Sequence, residues 1–170
     1  MIIREYRAED APLIAKLFYD SVRELGPLHY TPGQVAAWAP ETQDRASAHA
    51  RAADGRTTLV AVYGSGEVLA YGDLEGDGHI DHLYCRPDAA GAGVGSRLLD
   101  ALLERADAAG MSRLYVEASE LARGLFERKG FTLVLRRDFE LRGVAIHNYE
   151  MERRRRQGHR GLPPEARGEV

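Results

Sequence analysis

This sequence predicts an α/β (α+β) domain on three observations. Runs of strand type alternate with runs of helical period along most of the chain. One strand-like run passes through a glycine loop, Ala90–Gly95, into a strongly amphipathic helix. With 170 residues, 44% apolar and 29% charged, the chain can bury the core of one ordinary domain without disulfide or metal.

Ile2–Tyr6 reads as a short strand. Glu9-Asp10 before Pro12 marks a helix start, and Leu13, Ile14, Leu17, Phe18, Val22 and Leu25 recur at helical spacing until Gly26-Pro27 ends the run. Thr31-Pro32 opens a short second helix through Trp38, and Thr42–Ala53 forms a third, more polar one. Thr57–Tyr63 and Val68–Leu74 read as strands joined at Ser65-Gly66. The turn Gly76-Asp77-Gly78 leads into a strand over His79–Cys85, and Arg86-Pro87-Asp88 turns the chain again. The helix behind the loop begins near Ser96, carries Leu98, Leu99, Leu102, Leu103 and Ala106 on one face, and stops at Gly110. Arg113–Glu117 is a strand and Leu121–Lys129 a helix, while Phe131–Leu141 and Ala145–Met151 pair as a hairpin through Arg142-Gly143.

From Arg153 the apolar periodicity ends. Residues 153–170, with four adjacent arginines, read as a disordered, solvated tail after a domain over 1–152. A formal charge of −3 offers no global attraction to nucleic acid or to an anionic membrane. Cys85 is the only cysteine, so no internal disulfide forms, and the N-terminus lacks a signal peptide's apolar core. The expectation is a cytoplasmic protein with neither a nucleic-acid nor a membrane partner.

Gly91, Gly93 and Gly95 stand at alternate positions, which lets bare N–H groups converge on one anion. The helix behind adds its unpaired amides and the positive end of its dipole. A phosphorylated ligand is expected. A nucleoside-triphosphate loop would need Gly-Lys-Ser/Thr, but the chain has Gly95-Ser96-Arg97. A dinucleotide loop would need G-x-G-x-x-G directly after its strand; here the third position is Ser96 and Arg86–Ala90 intervene, although Glu117 could imitate the ribose-binding acid. A ligand-free turn needs one or two glycines rather than three alternating ones. Coenzyme A is the fourth class that uses such a cradle.

Leu83-Tyr84-Cys85-Arg86-Pro87 followed by Gly91-Ala92-Gly93-Val94-Gly95-Ser96-Arg97-Leu98-Leu99 resembles the acyl-CoA signature of the GNAT N-acetyltransferase superfamily. Ala118-Ser119 and Ala122–Phe131, ending Phe126-Glu127-Arg128-Lys129-Gly130-Phe131, are similar to that family's closing motif. Tyr30-Thr31-Pro32, Ala37-Trp38-Ala39-Pro40, Glu117-Ala118-Ser119 and Glu140–Val144 resemble its YafP-like branch, and the likeness covers about residues 1–152.

The resemblance implies a mixed, mostly antiparallel central sheet of about seven strands. The sheet splays between strands 4 and 5, and helices cover both faces. Acetyl-CoA would be the co-substrate and no metal is implied. Its pantetheine arm would lie in the slot against Leu83, Tyr84 and Cys85, with the pyrophosphate on the amides of Gly91, Ala92, Gly93, Val94, Gly95 and Ser96. Ser119, Arg123, Arg128, Lys129 and Phe126 are the implied coenzyme contacts near the closing motif. Cys85 reads as a small strand residue, since direct transfer needs no enzyme nucleophile.

Direct transfer needs a neutral amine, a polarised thioester and a proton for the leaving thiolate. Strand parity places His79, Asp81, Leu83 and Cys85 on one face and Ile80, His82 and Tyr84 on the other, so His79 and His82 cannot share a metal. By family pattern Asp81 is the expected base or amine anchor, assisted by His79, with Glu75, Glu117 and Tyr84 in reserve. The bland reading of Asp81 is a loop cap or an arginine partner. Phe126 stands where many relatives carry a tyrosine acid, so that role passes to Tyr84, Tyr115, Tyr149, Ser119 or water. Ala90 replaces the loop's usual polar residue. Tyr30, Trp38 and His147 would line the acceptor pocket for a small-molecule or peptide amine, and relatives of this kind are often homodimers. The alternative class is a non-catalytic acyl-CoA-binding sensor.

Overall fold

Seven strands and five helices form among the described residues, 1–64 and 66–155 of a computed structural model. In chain order they are β1 (Ile2–Glu5), α1 (Ala11–Leu25), α2 (Pro32–Trp38), α3 (Arg45–Ala52), β2 (Thr57–Tyr63), β3 (Glu67–Leu74), β4 (Leu83–Cys85), α4 (Val94–Ala108), β5 (Arg113–Ala118), α5 (Glu120–Arg128), β6 (Thr132–Leu141) and β7 (Val144–Arg154). The strands make two antiparallel sheets, ordered β1-β2-β3-β4 and β5-β7-β6. A single parallel bridge joins them, between His79 and Tyr115. There Ile80 N–H donates to Tyr115 O at 2.9 Å and Tyr115 N–H to Gly78 O at 3.0 Å. Past that hinge β4 pairs with β3 and β5 with β7, so the two sheets part like a V.

Helices cover both faces because β2 alternates. Leu59 and Ala61 join the core under α4, with Leu98, Leu99 and Leu102 all fully buried. Val60 and Val62 join the core under α1, with Ile14, Leu17, Phe18 and Val22. Short caps set the smaller helices: Thr31 and Gln34 form a capping box at α2. Asp44 caps α3, which begins three residues later than its polar run suggests. Arg142 (φ 49°) and Gly143 (φ 78°) make the two-residue turn between β6 and β7.

The strand expected over His79–Cys85 is regular only at Leu83–Cys85. Buried Asp73 on β3 is the cause. Its N–H donates to His82 O at 3.0 Å, and its carboxylate takes His82 N–H at 3.1 Å, replacing a ladder bond with a side-chain bond. Face alternation is therefore lost across 79–82. Ile80 packs with Leu83 and Cys85 in the α4 core, not with Tyr84 as parity predicts. Gly78 (φ +94°) enters this segment where a Cβ would run into the Arg113 carbonyl oxygen.

β7 runs two residues past the expected boundary at 152, pairing Arg153 with Leu114 and Arg154 with Arg113. The rest of the expected tail, 156–170, and Ser65 of the expected turn lie outside the described residues. Among the described residues no helix is long and apolar enough to cross a membrane.

Candidate active site

The glycine loop ends in a helix whose first amides are open. Gly91 and Gly93 take left-handed φ of +78° and +80°, and a Cβ on either would meet nothing within 4 Å. Gly93 is the N-cap, so α4 starts at Val94 rather than near Ser96, and no side chain caps it. The first intrahelical bond runs from Arg97 N–H to Gly93 O at 3.1 Å. The amides of Val94, Gly95 and Ser96 thus precede any helical partner. Val94 turns its side chain into the core, and Ala92 is exposed. Gly95 sits over Cys85, where a Cβ would lie 3.1 Å from Sγ. Burial pushes the Cys85 thiol up to about 11, so it is a poor nucleophile at neutral pH.

β4 presents an open edge beside this loop. His82 O and Arg86 N–H bond β3, so alternation turns the peptide groups of Leu83 and Cys85 toward the slot. A cavity of about 390 Å³ runs along that edge, lined by Leu83, Tyr84, Cys85, Gly91, Gly93, Gly95, Ser96 and Ser119 among others. Arg128 lines it too. Arg123 and Lys129 do not: Arg123 pairs with Glu127 at 2.9 Å, and Lys129 with Asp100 at 2.7 Å.

A second cavity, of about 450 Å³, opens between the sheets on the other side. Tyr30, Trp38, Asp81, Glu117, Arg137, His147 and Asn148 are among its walls. Leu83, Tyr84, Ser119, Trp38 and Ala122 line both cavities, so the two meet at those residues. Ser119 is the N-cap of α5, its Oγ accepting from Ala122 N–H at 3.3 Å and leaving its own proton unspent. Tyr84 is wedged among Phe18, Tyr71, His82 and Trp38, and burial raises its phenol well above the ordinary value. Phe126 is buried against Phe131 and carries no proton. Tyr115 and Tyr149 spend their hydroxyls on Asp77 and Glu120 and line neither cavity.

Asp81 and His79 share no hydrogen bond, and each has its own partners. Arg51 donates to Asp81 Oδ2 at 2.7 Å and Arg56 at 3.1 Å. Burial would raise this carboxyl, but the two arginines and nearby His82 outweigh it and hold Asp81 well below the carboxylate range. Such a group is a weak base. His79 instead bonds Glu117 at 2.6 Å through Nε2. That bond raises the imidazole above 6.5 and lowers the carboxylate. Glu75 lies 3.5 Å from His79 Nδ1 and 3.3 Å from Arg56. His82 turns away from His79, stacked on Phe18 with Nδ1 bonded to Tyr71 OH at 2.8 Å, yet it reaches the same cavity as Asp81.

Tyr30, Trp38 and His147 come together as one wall. Trp38 meets Tyr30 edge-on at 5.5 Å. Tyr30 OH accepts from Glu120 N–H at 3.0 Å and donates to His147 O at 3.3 Å. Glu120, which the sequence reading missed, accepts from His147 Nε2 at 2.8 Å and from Tyr149 OH. Arg137 and Asn148 were missed as well. Their place depends on β6–β7 register, and no local motif announces it.

The acetyltransferase (GNAT) domain model matches residues 28–153. An uncharacterized N-acetyltransferase, YafP, of Escherichia coli is 30% identical over 149 residues, covering 88% of this chain and 93% of that protein. The L-methionine sulfoximine/L-methionine sulfone acetyltransferase of Pseudomonas aeruginosa is 35% identical, covering 77% and 80%. A crystal structure of a GCN5-related N-acetyltransferase from Rhodopseudomonas palustris superposes with TM-score 0.82 at 35% identity, covering 90% of this chain and 94% of that one. With its split sheet and open-ended helix, the chain belongs to the GNAT acetyltransferase family.

Proposed function

We propose that the protein is an acetyl-CoA-dependent N-acetyltransferase that acetylates a primary amine of a small molecule by direct transfer. The observation that carries this reading is the meeting of two cavities at Leu83, Tyr84 and Ser119, one floored by anion-ready amides and the other closed by aromatic walls. The residues fit the coenzyme. Open space above Gly91 and Gly93 leaves room for a diphosphate on the amides of 94–96, and the free edge of β4 suits an amide-bearing arm. Acetyl-CoA supplies an acyl group activated as a thioester.

Glu117 on β5 holds the incoming ammonium, and its pair with His79 gives the departing proton a path away from the cavity. The freed amine nitrogen bonds to the carbonyl carbon as the carbon–sulfur bond breaks, and the sulfur keeps the electron pair. Tyr84 and Ser119 line the junction and can offer hydroxyls to hydrogen-bond the departing sulfur. A thiol that ionises near 8.5 also leaves tolerably unaided. Asp81 serves as a structural partner of Arg51 and Arg56. The aromatic enclosure and the small-molecule acceptor named for the Pseudomonas relative support a small acceptor over a protein one.

The test is acetyl-CoA with a panel of small primary amines, followed by thiol release. Amine-dependent thiol release is expected, with Glu117→Gln lowering kcat/KM roughly 100-fold or more. Coenzyme-dependent thermal stabilisation without thiol release on a broad panel would instead favour a sensor.

A further inference from the structure

Two carboxylates line the acceptor cavity, Asp81 and Glu117, while Glu120 bonds its wall residue His147. Asp81 is held by Arg51 and Arg56, and Glu120 by His147 and Tyr149. Glu117 gives Oε2 to His79 and leaves Oε1 facing Arg137 Nη1 at 3.7 Å. That gap is too long for a hydrogen bond. Among the described residues Arg137 donates no hydrogen bond; it lines the cavity with its guanidinium over the Phe139 ring, 5.7 Å from the centroid. Directly across the β6–β7 ladder sits Asn148, whose Oδ1 is buried without any partner. One wall therefore offers an anion with an open oxygen, an orphaned acceptor and an unspent cation, side by side.

We infer that the acceptor is a free α-amino acid, seated as its zwitterion with the ammonium on Glu117 and Asn148 and the carboxylate on Arg137. This rests on the acetyltransferase reading above and names its substrate class. An α-amino acid carries its two charges on adjacent positions of one carbon, a spacing that bridges a pair standing 3.7 Å apart. Guanidinium and carboxylate geometries match in a two-bond fork, and the ammonium hydrogens satisfy the two acceptors. Among the other lining residues, Tyr30, Trp38, Phe139, Leu141 and Ile146 suit an uncharged, apolar or aromatic side chain. A peptide N-terminus lacks the adjacent carboxylate and leaves Arg137 unmatched.

The test compares leucine, methionine, phenylalanine and tyrosine with their carboxamides and with the amines left by decarboxylation. Thiol release from acetyl-CoA is followed with the full-length protein. At least one amino acid should exceed both analogues by roughly 10- to 100-fold in kcat/KM, and Arg137→Gln should shrink that ratio toward one. Calorimetry in the presence of free coenzyme A gives a readout independent of turnover: the preferred amino acid should bind, and Arg137→Gln should weaken it at least about tenfold. Equal or better acetylation of the amines or amides overturns the inference while leaving acetyl transfer intact. No thiol release with any acid, amide or amine overturns both.

Discussion

Glu117 shares one oxygen with His79 at 2.6 Å and lines the proposed acceptor cavity, whereas Asp81 accepts from both Arg51 and Arg56 on Oδ2. The assignment of roles follows from those partners. The carboxylate raises the His79 imidazole, so NMR titration should place its midpoint above 6.5. Glu117→Gln removes the stabilising charge, and the midpoint should fall toward 6.5; an unmoved midpoint would break the pair. Asp81→Asn should leave the pH–rate profile of the folded enzyme unchanged. Its cost should appear in stability, about 1 kcal/mol, because the side chain is 37% exposed and solvent screens the pair. Family pattern pointed to Asp81, and the cavity includes it; strand parity across 79–82 failed because Asp73 captures His82 N–H. Tyr30, Trp38 and His147 were legible through family resemblance. Arg137 and Asn148 were not, since only β-ladder register brings them to the cavity, nor was Glu120, which opens α5 and meets His147 through tertiary packing.

At the scale of elements, the loop and α4 were plain in the sequence because local chemistry writes them. Alternating glycines precede a leucine face that buries Leu98, Leu99 and Leu102 completely. The turn Arg142-Gly143 was equally local. Gly93→Val should test the loop. A side chain at φ +80° costs about 1–2 kcal/mol, and rearranged amides should lower coenzyme A affinity at least tenfold in calorimetry. Unchanged affinity would move the phosphate site elsewhere. Leu102→Ala, by contrast, should cost about 2–5 kcal/mol in urea unfolding and leave the affinity of the folded fraction alone.

For the whole molecule, the V between two sheets is both the site and a weak point toward acid. His82 lies where α1, β3 and β4 meet, stacked on Phe18 and bonded to Tyr71. Burial, reinforced by Arg51, drives its imidazole well below 6.5. A depressed folded value means its contribution is complete above the unfolded value and shrinks as pH falls below about 6.5. Urea midpoints should therefore decline from about pH 6.5 downward, and His82→Phe should flatten that slope. Asp81 adds a separate loss, beginning only below its unfolded value near 3.9. Binding should link the halves of the V: a ligand spanning β4, α4 and α5 raises Tm with its concentration. A crystal structure of the protein grown with coenzyme A examines that most directly. The diphosphate should rest on the amides of Val94, Gly95 and Ser96, with the sulfur at the junction beside Tyr84 and Ser119. Coenzyme bound away from α4, or a sulfur outside that junction, would contradict the account.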